Sequence, residues 1–117
     1  QAIETYKRAL LIYRQLGDLR GEGVVVGNLG IAYRGLGQTE EAIGAYEQAL
    51  AIDRELGDRR GEALDSWNLG LLYEESDPAR AAELMSVCVA YERETGHPDA
   101  ERDAARVEGI RARVEGE

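Results

Sequence analysis

The chain has no phenylalanine, one cysteine, one histidine, one tryptophan and two prolines among its 117 residues. Each scarcity removes a class of explanation. A lone cysteine, Cys88, cannot build a disulfide framework, and it fits a reducing compartment. A lone histidine, His97, has no second ligand at helical spacing with which to hold zinc, and no triad forms around it. Standing before Pro98, it reads as a turn or capping residue. No apolar run approaches the ~20 residues that a membrane span needs. Gln1 opens into charged, periodic sequence rather than a secretory signal. Basic residues are also few, 14 against 23 acidic, for a net charge of −9. Phosphate backbones are bound by basic surfaces, so the balance points away from nucleic acid. The expectation is a cytoplasmic protein with no cofactor, no metal, and neither nucleic acid nor membrane as partner. Thirteen of the fourteen basic residues are arginine, which with abundant Ala and Gly suggests a GC-rich bacterial genome.

Glycine, by contrast, is plentiful. The stretch Gly21 to Gly37, "GEGVVVGNLGIAYRGLG", holds six, and its opening spacing is close to that of a dinucleotide-binding turn. The chain itself answers that suggestion. Shifted by forty residues, "AIETYKRALLIYRQLGDLRGE" (2–22) overlies "AIGAYEQALAIDRELGDRRGE" (42–62), and residues 1–37 share seventeen identities with 41–77. In the second copy Gly23, Gly27, Gly35 and Gly37 become Ala63, Trp67, Glu75 and Asp77. A phosphate cradle needs its backbone bare, so it could not accept these replacements. A fixed period of this size marks a stacked-repeat architecture instead.

The glycines kept in both copies have a different use. Gly30 and Gly70 lie inside a helical pattern, where glycine costs about 1 kcal/mol relative to alanine. Their repetition implies that another helix crosses too closely for a side chain. Gly17 and Gly57 follow amphipathic stretches and fit left-handed C-terminal caps. Thr39 is placed to cap a helix whose first turn holds Glu40 and Glu41. Asp77-Pro78 and His97-Pro98-Asp99 read as further helix starts. This punctuation predicts six helices, at about 2–16, 20–36, 39–56, 60–75, 78–95 and 98–115. Connections of two to four residues make neighbours antiparallel. No segment alternates with the period of a strand.

In these positions the sequence resembles the tetratricopeptide repeat family. The first-helix signature appears as Leu29-Gly30-x-x-Tyr33 and Leu69-Gly70-x-x-Tyr73. The second-helix signature appears as Ala42…Tyr46…Ala49 and, before it, Ala2…Tyr6…Ala9. A worn third copy is Ala81…Met85…Cys88, one residue closer, so that Cys88 falls where Ala9 and Ala49 stand and reads as a small core residue. The forty-residue period and the "LGDxRGE" linker are similar to kinesin light chains, Pins-type adaptors and bacterial signalling ATPases with helical sensor tails. The resemblance implies an all-α, TPR-like α-solenoid forming a single domain over 1–117. Its parts would be the second helix of a truncated repeat (1–18), a repeat (19–57), a repeat with a degenerate second helix (58–96) and a capping helix (97–117). In that last helix Ala100, Ala104, Val107, Ile110 and Val114 form an apolar stripe, opposite Glu101, Arg102, Asp103, Arg106, Glu108 and Arg113. Where an earlier repeat would pack, Ile3, Leu10 or Leu11 should be exposed.

The function implied is non-catalytic: binding of a protein partner, as a peptide or helix, in a concave groove. Ala63, Ser66, Gly70 and Tyr73 form the stripe that meets the next helix, although Ser66 is less bulky there than Val26. Leu64, Trp67, Asn68 and Leu71 lie on a different face, matched by Val24, Gly27, Asn28 and Ile31. In the family that face lines the groove, and Asn28 and Asn68 take the position that holds a ligand's backbone. An asparagine can grip both N–H and C=O of a peptide. The competing expectation is that these residues pack on the adjacent helix. Arg34, with Arg20, would meet an acidic flank, and Glu74 and Glu75 a basic one, inside a segment (39–78) carrying three basic and eleven acidic residues. Asp53-Arg54-Glu55 and Glu74-Glu75 read as solvated clusters without a metal-binding loop. Alternatives are a self-association module forming a homo-oligomer through an exposed terminal face, or the sensor tail of a larger bacterial signalling ATPase or regulator.

Overall fold

The computed structural model describes residues 2–116 as six helices joined by short turns. They are α1 (Ala2–Leu16), α2 (Leu19–Gly35), α3 (Thr39–Leu56), α4 (Arg59–Tyr73), α5 (Pro78–Thr95) and α6 (Ala100–Glu115). The turns follow from glycine and aspartate. Gly17, Gly37, Gly57 and Gly96 each take φ between 68° and 75° just after a helix, a region where a side chain would clash. Asp18 then caps α2, its Oδ1 accepting the Gly21 N–H at 2.9 Å. Asp77 caps α5 in the same way through the Arg80 N–H at 3.2 Å, with Pro78 at the first helical position.

One cap and two helix ends differ most from expectation. Thr39 is already helical, and the cap position falls to Gln38, whose side chain makes no capping bond. α4 stops at Tyr73 rather than 75, because the Asp77 N–H returns to the Tyr73 carbonyl at 2.8 Å and closes the turn. α6 begins at Ala100 rather than 98, since the Asp99 N–H donates to His97 Nδ1 at 3.0 Å and holds the preceding residues in a turn.

The helices form two compact units, α1–α3 and α4–α6. In the first, α2 packs on both α1 and α3. Its core is Val25, Val26, Leu29, Ala45 and Ala49, with Ile3, Tyr6, Ala9, Leu10, Tyr13 and Tyr33 half-buried against it. Ile3 and Leu10 therefore face inward, and the exposed apolar residues of α1 are Leu11, Ile12 and Leu16. In the second unit α5 packs on α4 and α6, around Ala81, Ala82, Met85, Val89, Val107 and Ile110. Among the described residues no helix is long and apolar enough to cross a membrane.

The repeated glycines sit where the sequence requires them to. A β-carbon on Gly30 would lie 2.9 Å from the Tyr46 ring, which is itself buried. One on Gly70 would collide with Met85 Cγ and stand 3.1 Å from the Ala81 carbonyl oxygen. Gly23 near the start of α2 likewise abuts Ile52 near the end of α3, so the hairpin is antiparallel. Ser66, on the same stripe as Gly70, is fully buried, and its hydroxyl has no hydrogen-bond partner among the described residues.

Gly70→Leu is therefore expected to destabilise by about 1–3 kcal/mol through overpacking. Gly44→Ala, in an exposed part of α3 with nothing within 4 Å of the added carbon, should stabilise by about 1 kcal/mol through helix propensity. Urea midpoints that shift alike for both would remove the packing reason. Ser66→Ala should raise stability by about 1 kcal/mol, because it deletes a buried hydroxyl that gains no bond; a lowered midpoint would show that the hydroxyl is held.

Candidate peptide-binding face

Successive residues of a helix turn by about 100°, so the faces of α2 divide sharply. Val25, Val26, Leu29 and Gly30 are buried. Val24 and Ile31, one residue off that stripe, remain 61% and 59% exposed. Asn28 lies between them, half-buried, and Arg34 is exposed near the end of α2. Val24, Asn28 and Ile31 thus run along one side of the helix at four- and three-residue steps.

The matching residues of α4 are placed differently. Leu64 is 52% exposed, and Asn68 is half-buried. Trp67 and Leu71, however, rest against the α5–α6 core cluster. In this unit the face is shared: its start is open, and its middle helps to hold α6. Exposed and packed residues therefore share this face of α4.

Electrostatics also differ from the simple expectation. Glu74 accepts a hydrogen bond from Arg106 Nη2 at 2.8 Å and lies 3.5 Å from Arg113 Nη2. Its charge is met by α6, so it does not stand ready for a basic ligand; Glu75 is exposed. Such partly exposed ion pairs contribute about 0–1 kcal/mol each.

Two carboxylates expected in water are buried instead. Sequence places Asp53 in a solvated cluster and Asp103 on the charged side of α6, yet they are 7% and 8% exposed. Asp103 meets Glu92 of α5, itself 9% exposed. Burial, above all, raises the Glu92 pKa; a hydrogen bond to Asp103 and the Asp103 and Asp99 charges add to it, while His97, 3.7 Å away, opposes it. The protonated form of Glu92 is therefore favoured more strongly here than in water. The same surroundings push the Cys88 thiol up to about 12, burial first and then the Glu92 and Asp103 charges, so it stays protonated and inert. Cys88, Glu92 and His97 line a cleft of about 340 Å³, which Leu64 and Tyr91 also wall. A signal for the buried acids was present: Asp53 and Glu92, thirty-nine apart, both follow the Ala–Tyr/Met–Ala/Cys stripe by four residues. Among the described residues no group of three or more His, Cys, Asp and Glu could hold a metal ion.

Paired antiparallel helices, a glycine at each crossing and a forty-residue register define a helix-hairpin repeat protein. A tetratricopeptide repeat family model matches residues 1–55 and 27–94, and the chain belongs to that family. Comparison with curated proteins finds no match. Repeats of this family mediate protein–protein interaction.

The acid pair gives a pH prediction. The native state holds the Glu92 proton to higher pH than the unfolded chain, which releases it around the ordinary glutamate value, 4.5. The native state binds more protons, so this group's contribution to stability is lost as pH rises from that value through the raised native one. Glu92→Gln keeps a donor and removes the charge. It should be at least as stable as the parent at pH ~7, with the difference closing near pH ~4. Urea midpoints measured across that range check this, and a variant less stable at neutral pH would contradict it.

Proposed function

We propose that this chain is a non-catalytic module that binds a protein partner, taken as a peptide or helical segment, through the outer face of α2 in the first unit and that of α4 in the second. The observation that carries the reading is the exposure of Val24, Ile31 and Leu64. Val24 and Ile31 are held outward beside half-buried Asn28 in the first unit, and Leu64, the register match of Val24, beside half-buried Asn68 in the second. The aliphatic residues supply apolar contact, with Trp67 and Leu71 stiffening the platform from beneath. The asparagine amides supply one donor group and one acceptor each for a peptide backbone. Arg34 favours an acidic residue in the ligand. A cytoplasmic protein partner, rather than nucleic acid or membrane, is consistent with the net charge of −9.

Trp67 is the sole tryptophan, so its fluorescence reports occupancy. Peptides selected from a library against the chain should bind the parent and lose about 10- to 100-fold in affinity with the Asn28→Ala/Asn68→Ala double variant, about 1–3 kcal/mol. Undiminished binding by a normally folded double variant would place the partner surface elsewhere.

A further inference from the structure

The cleft that Glu92 and His97 line lies within the second unit. Its volume of about 340 Å³ falls inside the ~300–1,000 Å³ range of small-ligand sites. α4 supplies one wall with Arg60, Ala63 and Leu64, and α5 the other with Cys88, Tyr91, Glu92 and Thr95. At the thirty-nine-residue offset that relates α5 to α3, Tyr91 and Thr95 replace Ile52 and Leu56. A wall with polar groups on it is thus particular to α5.

Glu92 is the buried acid of that lining, 9% exposed. Its Oε1 is enclosed and has no hydrogen-bond partner among the described residues. His97 Nδ1 stands 3.7 Å from Oε2. That nitrogen already accepts the Asp99 N–H at 3.0 Å, so it has no proton to give Glu92. Asp103 of α6 brings a second carboxylate rather than a counter-charge. Arg102, next along α6, is engaged by Asp99 at 3.1 Å and Asp103 at 3.4 Å. A buried carboxyl without a cationic partner is costly, and an incoming cation supplies one. Residues 59–117 favour its approach, with eight basic groups against fourteen acidic. A metal ion needs several such donors converging, and among the described residues none do, which leaves an organic cation.

We propose that this cleft receives an alkylammonium group, of the kind that a lysine side chain or a small free amine carries. The ammonium meets the Glu92 carboxylate, and the carbon chain lies along Leu64 and Tyr91. The site does not depend on the peptide-binding reading, although Leu64 belongs to both. Facing Glu92 are Cys88 on its own helix, Asp103 and Arg102 from α6, His97 and Asp99 from the turn, and Arg60 from α4. Binding requires Glu92 ionised, whereas burial and then Asp103 favour its protonated form in the free chain. A bound cation therefore displaces a proton, and affinity rises with pH above the ordinary glutamate value of 4.5 while the ammonium stays charged. Titrating n-butylammonium into the isotope-labelled 117-residue chain at neutral pH should give saturable amide shifts at Leu64, Tyr91 and Thr95. The uncharged n-butanol should not. Glu92→Gln keeps the shape and, with its fold checked by circular dichroism, should bind about tenfold or more weakly. Arg60→Ala should bind as well as the parent or better. In the parent, affinity should fall as pH is lowered toward the glutamate value. No saturable shifts, equal shifts with n-butanol, undiminished binding by Glu92→Gln or affinity independent of pH would each overturn the inference. Weaker binding by Arg60→Ala would overturn it too, since that marks an anion site. Comparing Nα-acetyl-lysine methylamide with putrescine separates the sources: tighter binding of the first identifies a lysine side chain, and of the second a free amine.

Discussion

The approach of one helix to the bare backbone of another sets the rest of this structure. Gly30 and Gly70 each remove the side chain that would keep a neighbour away, and Tyr46 and Met85 lie in the space. Both glycines weaken their own helices, by about 1 kcal/mol each, so the compensation must come from packing. The buried positions around them supply it: Val26, Tyr46, Leu69 and Met85 are fully enclosed. A large apolar side chain contributes about 1.5–3 kcal/mol when buried. One absent β-carbon per hairpin therefore permits several such burials.

That close crossing also divides the work of the first helix in each pair. One side is spent on the glycine stripe, and the side around Val24, Asn28 and Ile31 is left over in α2. The same division in α4 is modified because α6 packs near Trp67 and Leu71. A solvent-facing surface and a core-facing surface thus differ by one residue of register. The three consecutive valines 24–26 show it most simply: the first is exposed and the next two are buried.

Polar groups tighten the second unit beyond what apolar packing gives. Arg106 and Arg113 of α6 converge on Glu74 after α4, Arg93 of α5 meets Glu101 of α6, and Arg59 of α4 pairs with Glu94 of α5. Beneath them Glu92 lies against Asp103, and burial together with that neighbouring carboxylate raises the Glu92 pKa. Two charged carboxylates at that depth would repel in a low dielectric. The α5–α6 contact thus includes a carboxylate whose surroundings favour proton uptake, whereas the α2–α3 contact rests on Tyr46 against glycine.

Local rules were enough to locate the helices. Glycine in the left-handed region, aspartate caps and Pro78 act within a few residues, and the forty-residue echo supplied the pairing of hairpins and the reason for Gly30 and Gly70. Burial was less legible. A helical period shows which residues share a face, but whether that face is covered depends on side chains arriving from far along the chain. Asp103 is buried because Glu92 meets it from α5, and Glu74 is engaged because Arg106 lies 32 residues away in sequence but 2.8 Å away in space. Trp67 and Leu71 occupy the same face as Leu64, yet only tertiary packing decided that they would support the core while Leu64 stayed in water. The sequence by itself determined the elements and their register, which short-range sterics and capping bonds dictate; the tertiary structure decided which polar and apolar groups lose their solvent, because that requires a neighbour the local sequence does not contain.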